Sequence, residues 1–175
     1  MCLPNPQAII RRRNQTSARL GDRLDEALFR RLSGDVPLRR QEAILIATID
    51  ERGRPHPALL SYGEVLAVSP AALRLAVSAE STTARNLAER GALTLCLIGP
   101  DGAAYVKTAA RALPAEPSLD AQGLAVFEAR VQEVLVDAPA AGEKAHLTSG
   151  ITFTADDPEF QAQAWATKLD ALRRA

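Results

Sequence analysis

The feature that most constrains this chain is a succession of short apolar runs rich in branched residues, each closed by a turn signal. Residues 43–49 read Ala-Ile-Leu-Ile-Ala-Thr-Ile and stop at Asp50-Glu51-Arg52-Gly53. Similar runs follow at 55–62, 72–78, 92–98, 105–113 and 124–136, with a last short one at 151–153. Runs of this length favour buried strands over amphipathic helices. Gly53, Ser69-Pro70 and Gly99-Pro100-Asp101-Gly102 supply turns between them. Pro55 and Pro57 open the second run, which fits a strand start or a sheet edge better than a strand centre. Residues 65–68 either continue that strand past Gly63 or form a small extra one. Glu128-Ala129-Arg130 could be helical, but Val126, Val131, Val134 and Val136 around it suit a sheet.

Three segments read as helices. Leu20, Leu24, Leu28 and Leu32 recur every four positions and predict a helix over 18–33 that Gly34 closes. Residues 82–89 form a second, with Ala84, Leu87 and Ala88 facing inward and Gly91 as its stop. Asp156-Asp157-Pro158 opens a third, whose Ala162, Trp165, Leu169 and Leu172 share one face. The segment 118–123 is a loop with at most one helical turn. Hairpins dominate and one crossover alone is helical, so the pattern excludes strand–helix alternation around a parallel sheet. It predicts a mainly β (α+β) fold: an antiparallel six-stranded split β-barrel with flanking helices. Residues 1–37 form an N-terminal arm and helix, with 36–38 as a linker, and residues 38–175 form the barrel domain with its C-terminal helix.

A chain of 175 residues with 47% hydrophobic and 24% charged residues is long enough to bury a proper core. Its formal net charge is zero, against the basic excess that general nucleic-acid binding needs. The pairs and triplets of arginine at 11–13, 30–31 and 39–40 read as solvated surface beside acidic neighbours. Cys2 and Cys96 form neither a disulfide framework nor a metal motif, and Cys96 reads as a buried, inert thiol. No stretch is apolar enough to span a membrane and no secretory leader is visible, so the expected compartment is the cytoplasm.

The chemistry concentrates at residues 76–87, Ala-Val-Ser-Ala-Glu-Ser-Thr-Thr-Ala-Arg-Asn-Leu. A strand ends there and a helix begins, with Ser81 or Thr82 as its N-cap. Three hydroxyls (Ser81, Thr82, Thr83) and the permanent cation Arg85 crowd a first turn that already offers unpaired amides and partial positive charge. That combination suits a phosphate, although most such runs serve only as caps.

The ordered set of hairpin 44–62, strand 75–78, Ser81-Thr82-Thr83-Ala84-Arg85-Asn86-Leu87 and Tyr105-Val106-Lys107-Thr108-Ala109-Ala110-Arg111-Ala112 resembles the FMN-binding split-barrel superfamily, the pyridoxamine 5′-phosphate oxidase-like proteins. The resemblance covers roughly residues 40–113. It implies an FMN cofactor and a homodimer with the cofactor site at the subunit interface. The strand through His56, Pro57, Ala58 and Ser61 would run along the flavin and offer its backbone to the ring edge. Val77 and Ser78 would touch the flavin or its ribityl chain. Ser81, Thr82, Thr83, Arg85 and Asn86 would hold the phosphate, and Tyr105 would approach from the partner chain. The oxidase itself commonly carries cations where this chain has His56, Ser61, Thr82 and Thr83, and its C-terminal substrate motif has no counterpart in Leu172-Arg173-Arg174-Ala175. The resemblance therefore implies a flavin-dependent oxidoreductase of the wider group with an unassigned substrate. The alternatives are a non-catalytic flavin, F420 or haem-related binding protein, or a dimeric interaction module with an empty site. The chain has no nicotinamide fingerprint, so NAD(P)H would have to visit the flavin directly. His56 is either a ligand of flavin or phosphate or a surface histidine, and His146 reads as solvent-exposed. Tyr62 and Trp165 either stack on a ring or anchor the core or dimer interface. Arg111 reads as a sheet-face cation.

Overall fold

The computed structural model describes residues 17–35, 41–100, 102–138, 144 and 146–175. The expected arm, the linker at 36–38 with its domain boundary, and most of the loop before His146 lie outside the described residues. Within them the order is β1 (Ser17–Gly21), α1 (Glu26–Leu32), β2 (Glu42–Ile49), β3 (Pro55–Ser61), β4 (Val65–Ser69), β5 (Ala72–Ser78), α2 (Thr82–Arg90), β6 (Ala92–Gly99), β7 (Gly102–Ala112), α3 (Pro117–Asp120), β8 (Leu124–Asp137), β9 (Ile151–Thr152) and α4 (Pro158–Arg174).

All strand pairings are antiparallel, in the order β3-β2-β6-β7-β8-β5-β4. The two ends of that order, β3 and β4, are consecutive in the chain and separated only by residues 62–64. A sheet whose outermost strands are joined by three residues must curl until its edges meet. Leu60 of β3 and Val65 of β4 accordingly share one core with Ile44, Leu75, Leu95, Val106 and Val134. Among the described residues no ladder joins β3 to β4, so the barrel is split at that seam. The six expected strands are β2, β3, β5, β6, β7 and β8. Three short ones extend them. β4 is a separate strand, β9 continues the edge of β2 beyond β6, and β1 continues the edge of β8 beyond β5.

β1 corrects the expected helix over 18–33. Ala18 and Arg19 pair with Val136 and Leu135 of the long strand β8, whose last residues would otherwise be an open edge. The helix starts only where the Asp25 carboxylate accepts from the Leu28 amide at 2.8 Å. Leu28 and Leu32 are buried on the helix, Leu24 is buried just before its N-cap with its amide on the Pro70 carbonyl, and Leu20 is 49% exposed on the strand. The helical period holds for Leu28 and Leu32 alone: Leu24 precedes the N-cap, and the pairing demand of β8 took Leu20.

The β2–β3 turn is built by Asp50, whose Oδ1 accepts from the amides of Arg52 and Arg54 at 2.9 and 2.8 Å. Gly53 takes the positive φ of +75° that the turn needs. α4 packs through Leu169 and Leu172 against Leu66, Ala76 and Val126 outside the barrel. Arg74 Nη1 donates to the carbonyls of Leu172 and Arg173 at 2.8 and 3.0 Å, where helical carbonyls lack internal donors. Arg111 pairs with Glu128 across β7 and β8, a sheet-face cation as expected.

Candidate functional site

α2 crosses from the end of β5 to the rim of β2, and its start is set by local chemistry. Ser81 is the cap: its Oγ accepts from the Ala84 amide at 3.0 Å and donates to the Ser78 carbonyl at 2.7 Å. The Arg85 amide donates to the Ser81 carbonyl. The amides of Thr82 and Thr83 then have no protein acceptor among the described residues, as the geometry of a first helical turn dictates. Thr82, Ser78 and Arg85 are exposed beside them. The Arg85 guanidinium has no ion-pair or hydrogen-bond partner among the described residues, as is also true of Arg23 and Arg130. The end of β5 and the first turn of α2 thus carry two unpaired amides, the exposed hydroxyl residues Ser78 and Thr82, and the exposed cation Arg85.

Other residues of the predicted set point elsewhere. Thr83 and Asn86 lie on the buried face of α2, at 6% and 3% exposure, and Val77 is in the core. Ala88, expected inward, is exposed; the inward position falls to Asn86 because residues 83, 86 and 87 share a helical face and 88 does not. Asn86 Nδ2 donates to Thr48 Oγ1 at 3.0 Å, and Thr48 Oγ1 lies 3.4 Å from the His56 carbonyl, to which it donates. Thr48 is fully buried. Sequence reasoning passed over it, although it is the sole hydroxyl in the apolar run 43–49 and falls on the inward parity of Ile44 and Ile46.

β3 is an edge strand. Its register pairs His56 with Thr48, Ala58 with Ile46 and Leu60 with Ile44. Directly opposed residues share a sheet face, so the His56 side chain lies on the face that α2 covers. Pro55 and Pro57 have no N–H to give to β2, which places their backbone positions toward the free edge and leaves His56, Ala58 and Leu60 to make the ladder. The free edge then offers carbonyls of Pro55, Pro57 and Leu59 and the amide of Leu59. The next edge amide, Ser61, is already held by Glu64 Oε2 at 2.7 Å, as is its hydroxyl at 2.8 Å.

Tyr105 is not with the others. The register aligns Leu59, Leu45, Cys96, Tyr105 and Leu135 in one row across five strands on the outer face of the sheet, opposite to the face carrying Thr48 and His56. Its phenol donates to Asp137 Oδ2 at 3.1 Å. Burial first, then that hydrogen bond and the charge of Asp137, push the phenol above its ordinary pKa and keep it protonated at neutral pH. Cys96, partly exposed in this row, has its thiol pushed up by burial and stays protonated, consistent with an inert side chain.

Tyr62 and Trp165 are core anchors. The Tyr62 oxygen accepts from Arg31 Nε at 2.6 Å, and Trp165 lies across Gly63 with Phe153 at its edge, ring centroids 6.1 Å apart. His146 is exposed. A cavity of about 260 Å³ between α1 and the β6–β7 hairpin, lined by Leu28, Arg31, Leu97, Ala104 and Val136, lies away from the start of α2. No group of three or more metal-ligating side chains occurs among the described residues, and none of their helices is long and apolar enough to cross a membrane.

No family model matches the chain. The protein YclD of Bacillus subtilis (strain 168) is 31% identical over 153 residues, which span 86% of this chain and 96% of YclD. The chain belongs to the YclD family. Among solved structures, this YclD relative is similar to a putative pyridoxamine 5′-phosphate oxidase of Lactobacillus delbrueckii, with a TM-score of 0.51 at 19% identity over 66% of this chain and 97% of that one. An FMN-binding protein of Syntrophomonas wolfei overlays 66% of this chain and 92% of its own with a TM-score of 0.48 at 13% identity. The likeness to the Lactobacillus protein is one of fold: the YclD-family chain has the split barrel of the pyridoxamine 5′-phosphate oxidase-like proteins.

Proposed function

We propose that this protein binds FMN and works as a flavin-dependent oxidoreductase. The observation that carries the reading is the start of α2, where Arg85 stands free beside the hydroxyl of Thr82 and the unpaired amides of Thr82 and Thr83. A phosphate satisfies all of these groups at once, and the helix dipole adds to the attraction. The residues fit the rest of the cofactor as well. The edge of β3 carries carbonyls and one amide for a ring that both donates and accepts hydrogen bonds, and the His56 imidazole lies on the α2 side of the same strand. Bound FMN would supply hydride or electron transfer at its ring. The chain's own part is to hold the phosphate, align the ring along β3 and exclude water. No protein nucleophile is required.

The second copy enters through the outer row. Leu45, Leu59, Cys96, Ile98 and Leu135 leave an apolar sheet face partly open to water, with Leu59 56% exposed. A homodimer packed on that face buries it. Tyr105, which sits on the wrong side of the sheet to reach the site of its own chain, then comes to the partner's ring edge. Reduced nicotinamides of the cytoplasm, where we place the protein, would be the electron source.

The test is an absorbance spectrum of the purified protein with and without FMN, followed by gel filtration. Flavin bands co-eluting at the dimer position, bleached by NADPH or NADH, are expected. A protein that ignores FMN refutes the cofactor assignment, and bound flavin that no donor reduces refutes the enzymatic part alone. Arg85→Ala removes one charge-assisted contact worth about 1.5–3 kcal/mol, so FMN affinity should fall roughly 10- to 100-fold with the fold intact.

A further inference from the structure

The four buried polar side chains among the described residues are Thr48, Thr83, Asn86 and Thr108. Two belong to α2. Thr48 and Thr108 both pair with Leu93, one on each side, so they sit in one row of the barrel wall. Thr108 satisfies itself on the Leu93 carbonyl at 3.2 Å. Asn86 and Thr48 do something else: they tie α2 to the β2–β3 ladder, whose register already pairs Thr48 with His56. The hydrogen bond Asn86 Nδ2 to Thr48 Oγ1 ties α2 to β2, and the hydroxyl proton of Thr48 goes on to the His56 carbonyl of β3.

This tie acts at the start of β3. Two of its first three residues are prolines, which cannot donate to a ladder, and its outer edge is unpaired. The ladder holds the start of β3 through His56 and Ala58, and the Thr48 hydroxyl adds a side-chain bond at the His56 carbonyl. The tie also acts one residue beyond Arg85, on the opposite side of the helix. This buried chain of two hydrogen bonds runs from the helix that carries Arg85 to the strand that carries the free edge.

From this, and resting on the FMN reading above, we infer that Asn86 and Thr48 are positioning residues that lock the phosphate seat to the ring-binding strand, so that the protein distinguishes a flavin with a phosphate from one without. They touch neither. Asn86 spends its amide on Thr48, so the phosphate is held by Arg85, Thr82 and the helix amides. The lock matters only for a ligand that spans both elements. Riboflavin, which lacks the phosphate, engages β3 alone.

The test compares FMN and riboflavin affinities by flavin fluorescence titration in the parent, Thr48→Val, Thr48→Ser and Asn86→Ala, with melting temperatures alongside. Thr48→Val keeps the branched shape and removes the hydroxyl. The expected result is a loss of about tenfold or more in FMN affinity, the scale of one misplaced charge-assisted contact, with riboflavin affinity changed less than about twofold. Thr48→Ser restores the preference, and Asn86→Ala gives the same pattern should Thr48→Val not fold. An unchanged ratio of FMN to riboflavin affinity overturns the inference, as does an equal loss of both in step with melting temperature, which is what a purely structural role produces. Amide hydrogen exchange separates this from the cofactor reading. If the parent binds no flavin, the cofactor reading fails. The lock then stands if Thr48→Val speeds exchange in the first turn of α2 and at His56–Ala58 together, and falls if it leaves either unchanged.

Discussion

Replacing Gly63 with alanine should strain the seam that closes the barrel. Gly63 lies between β3 and β4, the two ends of the strand order, and a Cβ there would stand 2.3 Å from Cγ, 2.4 Å from Cδ1 and 2.6 Å from Cβ of Trp165. These atoms are the root of the indole, not the far end of a flexible side chain. Trp165 is 4% exposed, bounded by Phe153 on one edge. Its helix is further tethered by Lys168, whose Nζ lies 3.5 Å from the Glu64 carboxylate that also holds Ser61. The methyl group has no room, so either α4 shifts outward or residues 62–64 do. Overpacking of this kind costs about 1–3 kcal/mol. In a chain of this size that lowers the melting temperature by roughly 2–12 °C. Trp165 is the single tryptophan, so thermal or urea unfolding followed by its fluorescence reads both global stability and the local displacement. Trp165→Ala alone should cost about 3–5 kcal/mol, and in that background Gly63→Ala should cost less than in the parent because two of the three clashing atoms are gone. A Gly63→Ala protein that unfolds within about 0.5 kcal/mol of the parent, outside the range that named packing defects produce, would show that the α4 contact is not tight and refute the packing argument.

Gly91 ends α2 at φ +65°, and a Cβ there would meet the Ala110 carbonyl oxygen at 2.6 Å. Gly91→Ala should therefore lower stability by at least the roughly 1–2 kcal/mol of a left-handed non-glycine residue, visible as a lower urea midpoint with an unchanged slope. Glu133 has its carboxyl held below the ordinary range, first by the hydrogen bond from Lys107 and then by the charges of Lys107 and Arg19. A depressed folded-state pKa gives stability that is present above the ordinary glutamate value and lost as pH falls through the folded one. Glu133→Gln should accordingly unfold with a shallower pH dependence in acid, and equal slopes for the two proteins would sink the assignment. Arg85→Ala, as above, should weaken FMN without moving the melting temperature of the flavin-free protein, and calorimetry on both proteins checks this.

The sequence by itself determined the local elements. Strand periodicity, Asp50 and Gly53 at the turn, Ser81 as cap and Gly91 as stop are all short-range chemistry, and each operates where its residues predict. The barrel class was legible for the same reason: runs of strand length joined by hairpins leave an antiparallel sheet as the economical solution. The exposed groups at the start of α2 were legible too, because a helix start advertises itself by its cap and the hydroxyls and cation that follow. What only the tertiary structure decided is which face each residue presents and what it meets across the chain. Nothing in 18–33 foretells that β8 is long enough to need β1 along its last residues, so the leucine spacing pointed to one helix where a strand and a shorter helix stand. Nothing in the order of residues 81–87 separates Arg85, which faces water, from Asn86, whose partner Thr48 is 38 residues away. Tyr105 likewise shares a sheet with His56 but not a face, a distinction set by register, which a sequence carries only as parity and the fold alone converts into sides.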